Sequence, residues 1–168
     1  MSRSAVLYHL ICAGPPAADA ETFIRLAQSA GWDVCLIASP AAVAFIDAGR
    51  LAAVTGHPVR SGYKAPDDPD VLPAAAAMVV APATFNTVNK VAAGIADTLV
   101  TSLICEYLAL GVPLVLAPNV GPALGRHPAY RDNLDRLGSW GARLIVPPDP
   151  TAMAPWPAVL EALPVPRT

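Results

Sequence analysis

Residues 5–38 read AVLYHLICAGPPAADAETFIRLAQSAGWDVCLIA, and this stretch decides the fold. Two short apolar runs, 5–11 and 33–38, are typical of buried strands. Between them, residues 17–30 carry apolar side chains at helical spacing, and Gly31 follows as a helix C-cap. A strand, a helix and a second strand within about 35 residues form a βαβ unit, which requires a parallel sheet.

The same alternation continues along the chain. A helix that opens at Ser39 and Pro40 is expected to carry Phe45 and Ile46 inward. Further strands are predicted at 57–59, 77–80, 112–117 and 142–146. Further helices are predicted at 48–55, 86–96, 99–110 and 129–140. The pattern predicts an α/β fold, a three-layer Rossmann-like (flavodoxin-like) parallel sheet with helices on both faces.

Composition limits the class of protein. The chain has 168 residues, of which 54% are apolar and 14% charged, and this balance fits one globular domain. A net charge of −2 without a basic stripe argues against a nucleic-acid partner. No apolar run reaches the roughly 18 residues of a membrane helix, and no signal peptide is recognisable, so we expect a cytoplasmic protein.

Prolines and cysteines add two expectations. Prolines are concentrated around 66–73 and from 147 onward, so these stretches are predicted to be neither regular helix nor central strand. Cys12, Cys35 and Cys105 lie far apart in apolar segments, without metal-ligand spacing. We expect buried free thiols and no metal site.

Residues 81–90, APATFNTVNK, are the most informative loop, because they lead from a predicted buried strand into a helix. Thr84, Asn86 and Thr87 place two hydroxyls and an amide beside free backbone N–H groups at the helix N-terminus. Such a turn suits an anion or the polar edge of a ring. Helix capping uses the same residue types, so spacing alone leaves both interpretations open.

The sequence PATFNT at 82–87 resembles the PASANT motif of the homo-oligomeric flavin-containing cysteine decarboxylases. The next segment, NKVAAGIADTL at 89–99, is similar to that family's continuation. Shorter matches, SPAA at 39–42 and TGHPV at 55–59, help to extend the resemblance from residue 5 to about residue 146. This family includes phosphopantothenoylcysteine decarboxylase and the lantibiotic peptidyl-cysteine decarboxylases.

The resemblance implies FMN as the cofactor, bound between the subunits of a homo-oligomer that is a trimer or a multiple of trimers. It implies a flavin-binding Rossmann-like domain at 1–146, followed by the proline-rich tail at 147–168. Carried over by position, the cofactor contacts are Ala13, Gly14, Ser39, Thr84, Phe85, Asn86, Thr87 and Asn119.

Three departures from the family pattern affect the chemistry. The first turn has no serine hydroxyl, because it reads Ala13-Gly14-Pro15. The family's histidine, thirteen or so residues before the motif proline, falls in DDPD at 67–70. The family's asparagine that grips the substrate carboxylate falls at Gly121. The resemblance therefore implies a retained flavin site and a dismantled cysteine-decarboxylation site.

Other titratable side chains have two interpretations each. His127 could act as an acid or base near pH 7, or be a surface histidine. Asp68, with Asp67 and Asp70, could bind a cation or act as a base, or belong to a solvated acidic loop.

Three more side chains are expected to be structural. We expect His9 to be a hydrogen-bonded core residue and His57 to make a loop contact. Asp97 is expected to be held by backbone N–H groups at the start of the next helix.

Three functions remain open from sequence. The first is an enzyme that acts on a thiol, a peptide or a small metabolite other than phosphopantothenoylcysteine. The second is a flavin-binding or regulatory subunit without turnover. The third, a flavin prenyltransferase-like enzyme, is disfavoured because the expected arginine-bearing segment reads APNV at 117–120.

Overall fold

The computed structural model describes residues 4–69 and 72–166. Its strands are β1 (Val6–Ile11), β2 (Asp33–Ala38), β3 (Ala77–Ala83), β4 (Leu114–Pro118) and β5 (Arg143–Leu144). Its α-helices are α1 (Ala20–Ser29), α2 (Ala48–Thr55), α3 (Phe85–Ala92), α4 (Leu99–Ala109), α5 (Pro122–Gly125), α6 (Pro128–Ser139) and α7 (Trp156–Glu161). Two 3-10 helices, Pro15–Asp19 and Pro40–Phe45, follow β1 and β2.

The five strands form one parallel sheet in the order β2-β1-β3-β4-β5. The chain first winds from β1 to β2 and then crosses back to β3 on the other side of β1. This reversal between β1 and β3 is the topological switch point, and in sheets of this order ligands bind beyond the carboxyl ends of the strands there. The predicted Rossmann-like (flavodoxin-like) fold is confirmed.

Side chains of each strand alternate between two cores. Leu7 of β1 faces a core closed by α1 and α7, where Phe23 is fully buried. Leu10 faces the opposite core, closed by α3, α4 and α6, where Ile104 is fully buried. The helices therefore cover both faces, as the apolar strands require. No helix in the described part of the chain is long and apolar enough to cross a membrane.

Several predicted elements are shorter in the structure. The helix expected at 86–96 ends at Ala92, because Gly94 adopts a positive φ of 71° and stops it as a left-handed C-terminal residue. The prediction of a strand at 57–59 is wrong. Next to this segment, Arg60 forms a single isolated β-bridge to Ile37. Pro58 lacks the N–H group that a ladder needs. At the sheet edge, β5 has two residues instead of five.

The segment after Ser39 also differs from expectation. Its residues form a 3-10 helix, in which side chains repeat every three residues and not every 3.6. Phe45 consequently points outward and is 43% exposed, so its predicted inward orientation is wrong. Ile46 is partly buried against the core. Of the cysteines, Cys12 and Cys35 are buried as expected, whereas Cys105 is only partly buried.

The proline-rich tail contains the helix α7, which contradicts the expectation of no regular helix there. Pro155 precedes the helix and Pro157 lies in its first turn, where a missing N–H group does no harm. The Trp156 ring packs 5.5 Å from the Phe23 ring, and its Nε1 donates a hydrogen bond to Asp19 at 2.7 Å. The tail therefore seals one face of the sheet.

His9 is a core residue, as expected. It is fully buried, and its Nε2 donates to the carbonyl oxygen of Ala81 at 2.8 Å, while Nδ1 has no hydrogen-bond partner in the described residues. Burial lowers the pKa of His9 to about 4 from an ordinary value of 6.5. Between these two pH values the unfolded chain binds a proton that the folded chain excludes. The contribution of His9 to the free energy of unfolding is therefore fully present above pH 6.5 and is lost as the pH drops towards 4.

We expect His9 to contribute about 3 kcal/mol of acid-induced destabilisation between pH 7 and pH 4. In the variant His9→Gln nothing titrates at this position, and the side-chain amide can still donate to Ala81. Urea unfolding of both proteins at the two pH values measures the effect. An equal loss of unfolding free energy in the wild type and the variant would contradict this prediction.

Candidate cofactor site

A cavity of about 400 Å³ lies at the carboxyl ends of the strands, beside the switch point between β1 and β3. Its lining includes five of the sequence-predicted contacts: Ala13, Ser39, Thr84, Asn86 and Thr87. They follow three different strands, so the parallel sheet brings them together. We call this space the cofactor cavity.

The Ser39 hydroxyl caps the 3-10 helix that follows β2. Its Oγ accepts the N–H group of Ala42 at 3.2 Å, which leaves the hydroxyl proton for donation to a ligand. Ser39 is therefore an N-cap, as predicted, and its hydroxyl can still donate to a ligand in the cavity.

Thr84 and Thr87 belong to a short hydrogen-bonded chain behind the cavity wall. Thr87 Oγ1 lies 3.2 Å from Cys12 Sγ and 3.1 Å from Thr84 Oγ1, and Thr84 Oγ1 also accepts the Thr87 N–H group. Burial raises the pKa of the Cys12 thiol, which keeps it protonated. A thiol that donates to Thr87, and a Thr87 hydroxyl that donates to Thr84, leave the Thr84 proton for a ligand.

The first turns of α3 add an amide and a cation. Asn86 is exposed, and Lys90, four residues later, lies on the same side of the helix and also lines the cavity. Lys90 Nζ forms a 2.5 Å ion pair with Asp97. Lys90, chiefly through its hydrogen bond, lowers the pKa of that carboxyl.

The expected environment of Asp97 was wrong. Asp97 is exposed, and its side-chain partners are the Lys90 ammonium and the Thr101 hydroxyl instead of backbone N–H groups at the start of α4. The His57 ring contacts Asp33, with Nε2 2.7 Å from Oδ1, in addition to its place in the loop.

Gly14 and Asn119 lie together beside the cavity but do not line it. A Cβ placed on Gly14 would lie 3.7 Å from Asn119 Oδ1. The Asn119 side-chain amide donates to the carbonyl oxygen of Thr151 at 2.7 Å, and the Val120 N–H group donates to that of Pro150 at 2.9 Å. The tail therefore fixes the loop that carries Asn119.

Phe85 and His127 form a separate aromatic contact. The Phe85 ring lies 5.6 Å from His127 and 6.1 Å from Tyr130, and Phe85 does not line the cavity. His127 caps α6, because its Nδ1 accepts the Ala129 N–H group at 3.2 Å, which places a neutral ring's proton on Nε2. The ring is exposed.

Asp68 does not line the cofactor cavity either. One carboxylate oxygen accepts the N–H group of Ala65 at 3.1 Å, so the side chain closes an exposed turn. Asp70 lies outside the described residues. Within those residues, no three His, Cys, Asp or Glu side chains are grouped closely enough to hold a metal ion.

Sequence reasoning missed part of the cavity wall. The additional lining residues are Pro40, Ala41, Lys90, Thr98, Val100 and Thr101. A signal for Lys90 was present in its four-residue spacing from Asn86. Thr98 and Thr101 form a capping box at the start of α4, and the sequence signal for it was a threonine, a preferred N-cap residue, directly before an apolar run.

Comparison with known proteins identifies the family. A family model described as Flavoprotein matches residues 20–164. The chain belongs to the flavoprotein family. The resemblance seen in the sequence is thereby confirmed at the level of the family.

Curated relatives of this flavoprotein include decarboxylases. A probable phosphopantothenoylcysteine decarboxylase of Streptococcus mutans is 32% identical over 123 residues, 70% of this chain and 68% of that protein. A cysteine/cysteine sulfinic acid decarboxylase of an unknown prokaryotic organism is 44% identical over 69 residues, 41% of this chain and 18% of that protein. The coenzyme A biosynthesis bifunctional protein CoaBC of Mycolicibacterium smegmatis is 30% identical over 82% of this chain and 33% of that protein. The last two relatives are therefore much longer than the region they share with this flavoprotein.

Solved structures support the same relationship. The FMN-dependent cysteine decarboxylase SpaF superimposes with a TM-score of 0.76 at 26% identity, covering 94% of this chain and 97% of that one. TvaF, an FMN-dependent cysteine decarboxylase from thioviridamide biosynthesis, gives 0.77 at 25% identity, with coverage of 94% and 97%. This flavoprotein is thus related to cysteine and phosphopantothenoylcysteine decarboxylases.

Proposed function

We propose that this flavoprotein binds FMN in the cofactor cavity and acts on a thiol-bearing peptide or small metabolite other than phosphopantothenoylcysteine. One observation carries the proposal: five side chains or turns expected to contact FMN surround one cavity at the switch point of the sheet. In flavodoxin, whose sheet has this strand order, FMN binds at that point.

The chemistry of the cavity fits a phosphate-bearing cofactor. Ser39 and Thr84 offer hydroxyl protons, and the N-terminus of α3 adds its backbone dipole. Lys90 is the one charged residue among the described residues that line the cavity, and its ammonium group is paired with Asp97. The Asn86 amide supplies both donors and an acceptor for a polar ring edge.

When bound, FMN supplies two-electron oxidation of a thiol. The chain's residues then have simpler tasks: Ser39 and Thr84 hold the anionic end, Asn86 fixes the ring edge, and the tail keeps the Asn119 loop in place. Positioning and exclusion of water are the contributions that a protein makes to cofactor chemistry.

A second candidate is a flavin-binding subunit without turnover. It is favoured by the two positions where the resemblance expects catalytic groups. Gly121 has no side chain, and no atom lies within 4 Å of a Cβ placed there. The Asp68 carboxylate is engaged in a backbone turn.

We also propose that the protein is a homo-oligomer, a trimer or a multiple of trimers. Large apolar side chains at three places on the surface, Ile95, Leu110 and Trp140, are exposed in the single chain. Burial of such side chains between subunits is favourable. Flavin between subunits, as the resemblance implies, would place part of the site on a second copy.

The visible spectrum tests the proposed function. We expect the purified protein, incubated with FMN and freed of excess cofactor, to keep the absorbance of oxidised flavin. Anaerobic addition of a peptide with a C-terminal cysteine should bleach it, and the same peptide with an S-methylated cysteine should not. A colourless protein refutes FMN binding, while a coloured protein that no thiol bleaches supports the subunit without turnover.

A further inference from the structure

A second cavity, of about 440 Å³, lies between β1, the 60–64 segment and α4. Its wall combines aromatic and aliphatic side chains with two cations, and the residues used below are Tyr8, Arg60, Lys64, Leu103, Glu106 and Tyr107. We call it the tyrosine cavity. None of the cofactor contacts implied by the resemblance lines it.

The aromatic wall of the tyrosine cavity is held in place by hydrogen bonds. The rings of Tyr8 and Tyr107 lie 5.6 Å apart. The Tyr8 hydroxyl donates to the carbonyl oxygen of Pro73 at 2.8 Å, and the Tyr107 hydroxyl accepts the N–H group of Ala75 at 3.4 Å. Both rings are thus fixed by the 73–75 segment and present a preformed apolar surface.

Arg60 places a positive charge on the wall of the tyrosine cavity. Arg60 donates from Nη2 to the carbonyl oxygen of Gly62 at 3.0 Å, and it makes no ion pair with any residue in 4–69 or 72–166. A guanidinium group has five N–H donors, so most of them are available to a ligand. Lys64 also lines the cavity, with its Nζ donating to the carbonyl oxygen of Asp68 at 2.6 Å, and Glu106 is the one carboxylate among the described lining residues.

The tyrosine cavity adjoins the cofactor cavity through the first turn of α4. Leu99 and Ser102 line the tyrosine cavity, whereas Thr98 and Thr101 line the cofactor cavity. The first turn of α4 therefore forms part of the wall of both cavities.

We propose that the tyrosine cavity binds the anionic end of the substrate, an organic carboxylate or phosphate held by Arg60 with its apolar part against Tyr8, Leu103 and Tyr107. This inference rests on the proposed function for the identity of the substrate, which would carry a thiol at one end and an oxyanion at the other. Arg is suited to the role because its planar fork binds carboxylate and phosphate with two hydrogen bonds.

Three probes test the site: phenyl phosphate, benzoate and the neutral benzyl alcohol, each titrated by calorimetry into protein with and without FMN. We expect one or both anions to bind, and benzyl alcohol to bind at least about tenfold more weakly. The variant Arg60→Gln should bind the anion with about 10- to 100-fold lower affinity than the wild type. Arg131→Gln, which changes an exposed arginine of α6 outside both cavities, is the matched control and should leave affinity within about twofold. The stronger of the two anions identifies the oxyanion class.

The outcomes separate this inference from the proposed function. The tyrosine cavity is not an oxyanion site if neither anion binds, if Arg60→Gln binds the anion as tightly as the wild type does, or if benzyl alcohol binds as tightly as the anion. Each of these results is independent of FMN binding. Displacement of FMN by phenyl phosphate would place the anion in the cofactor cavity and also overturn it. If the bound probe inhibits bleaching of FMN by the thiol without displacing FMN, the tyrosine cavity is linked to the substrate. If the probe binds and bleaching is unchanged, that link is overturned.

Discussion

The double variant Asn86→Ala/Thr87→Val is expected to lose FMN affinity by at least about 30-fold, because each polar group of the ligand left without a partner costs about 1–3 kcal/mol. Asn86 lines the cofactor cavity with its amide, and Thr87 orders the hydroxyl of Thr84 that faces it. Valine keeps the shape of threonine, so the cavity wall is preserved while its hydrogen bonds are lost. Quenching of FMN fluorescence on titration with protein measures the dissociation constant.

A matched control separates binding from stability. Asn133→Ala/Thr55→Val removes the same two side-chain types where neither lines the cofactor cavity. Asn133 joins α6 to α3 through a 2.7 Å hydrogen bond to Asn89, and the buried Thr55 hydroxyl donates to the Leu51 carbonyl oxygen at 3.0 Å. We expect the control to lower thermal stability while it keeps FMN affinity. Equal FMN affinity in the wild type and the Asn86/Thr87 variant would contradict the location of the cofactor.

The sequence predicts those residues of the cofactor cavity that come directly after a strand. Ala13, Ser39 and Thr84 each come one or two residues after a strand, and parallel strands bring their carboxyl ends to one edge of the sheet. Their convergence therefore depends only on the correct order of elements. The apolar runs that define β1, β2 and β3 are clear because these strands are buried on both faces.

The rest of the site depends on contacts between elements distant in sequence. The Asn119 loop is fixed by carbonyl groups of Pro150 and Thr151, about thirty residues later, and local patterns carry no signal for such a pair. Phe85 follows the motif threonine directly, yet one step along a helix turns a side chain by about 100°, towards α6. The tail helix was missed because prolines disfavour a helix interior but not its first turn.

The catalytic positions show a different limit. The resemblance places the missing histidine within residues 67–70 and the missing asparagine at Gly121, but it does not say whether other residues compensate. His127 is engaged at the N-terminus of α6 and against Phe85, with Nδ1 occupied by a backbone N–H group. Only its Nε2 remains for proton transfer, which limits His127 as a replacement for the family's histidine.

We expect the FMN-loaded protein to decarboxylate phosphopantothenoylcysteine at least about 10³-fold more slowly than one turnover per second, which is the lower end of typical enzyme rates. Loss of an acid–base group alone lowers a rate by about 10²- to 10⁴-fold. Gly121 offers no amide to the substrate carboxylate, and residues 67–70 carry no histidine.

Release of carbon dioxide from labelled substrate measures the rate, with a phosphopantothenoylcysteine decarboxylase as the positive control. Gly121 is exposed with a φ of −64°, and a Cβ there meets no atom within 4 Å, so Gly121→Asn introduces the amide without strain. Combined with Asp68→His, which puts a histidine into the segment where the resemblance expects one, it should raise the rate at least about tenfold. Wild-type turnover near one per second would show that other residues perform the decarboxylation and that Asp68 and Gly121 are not the positions that decide it.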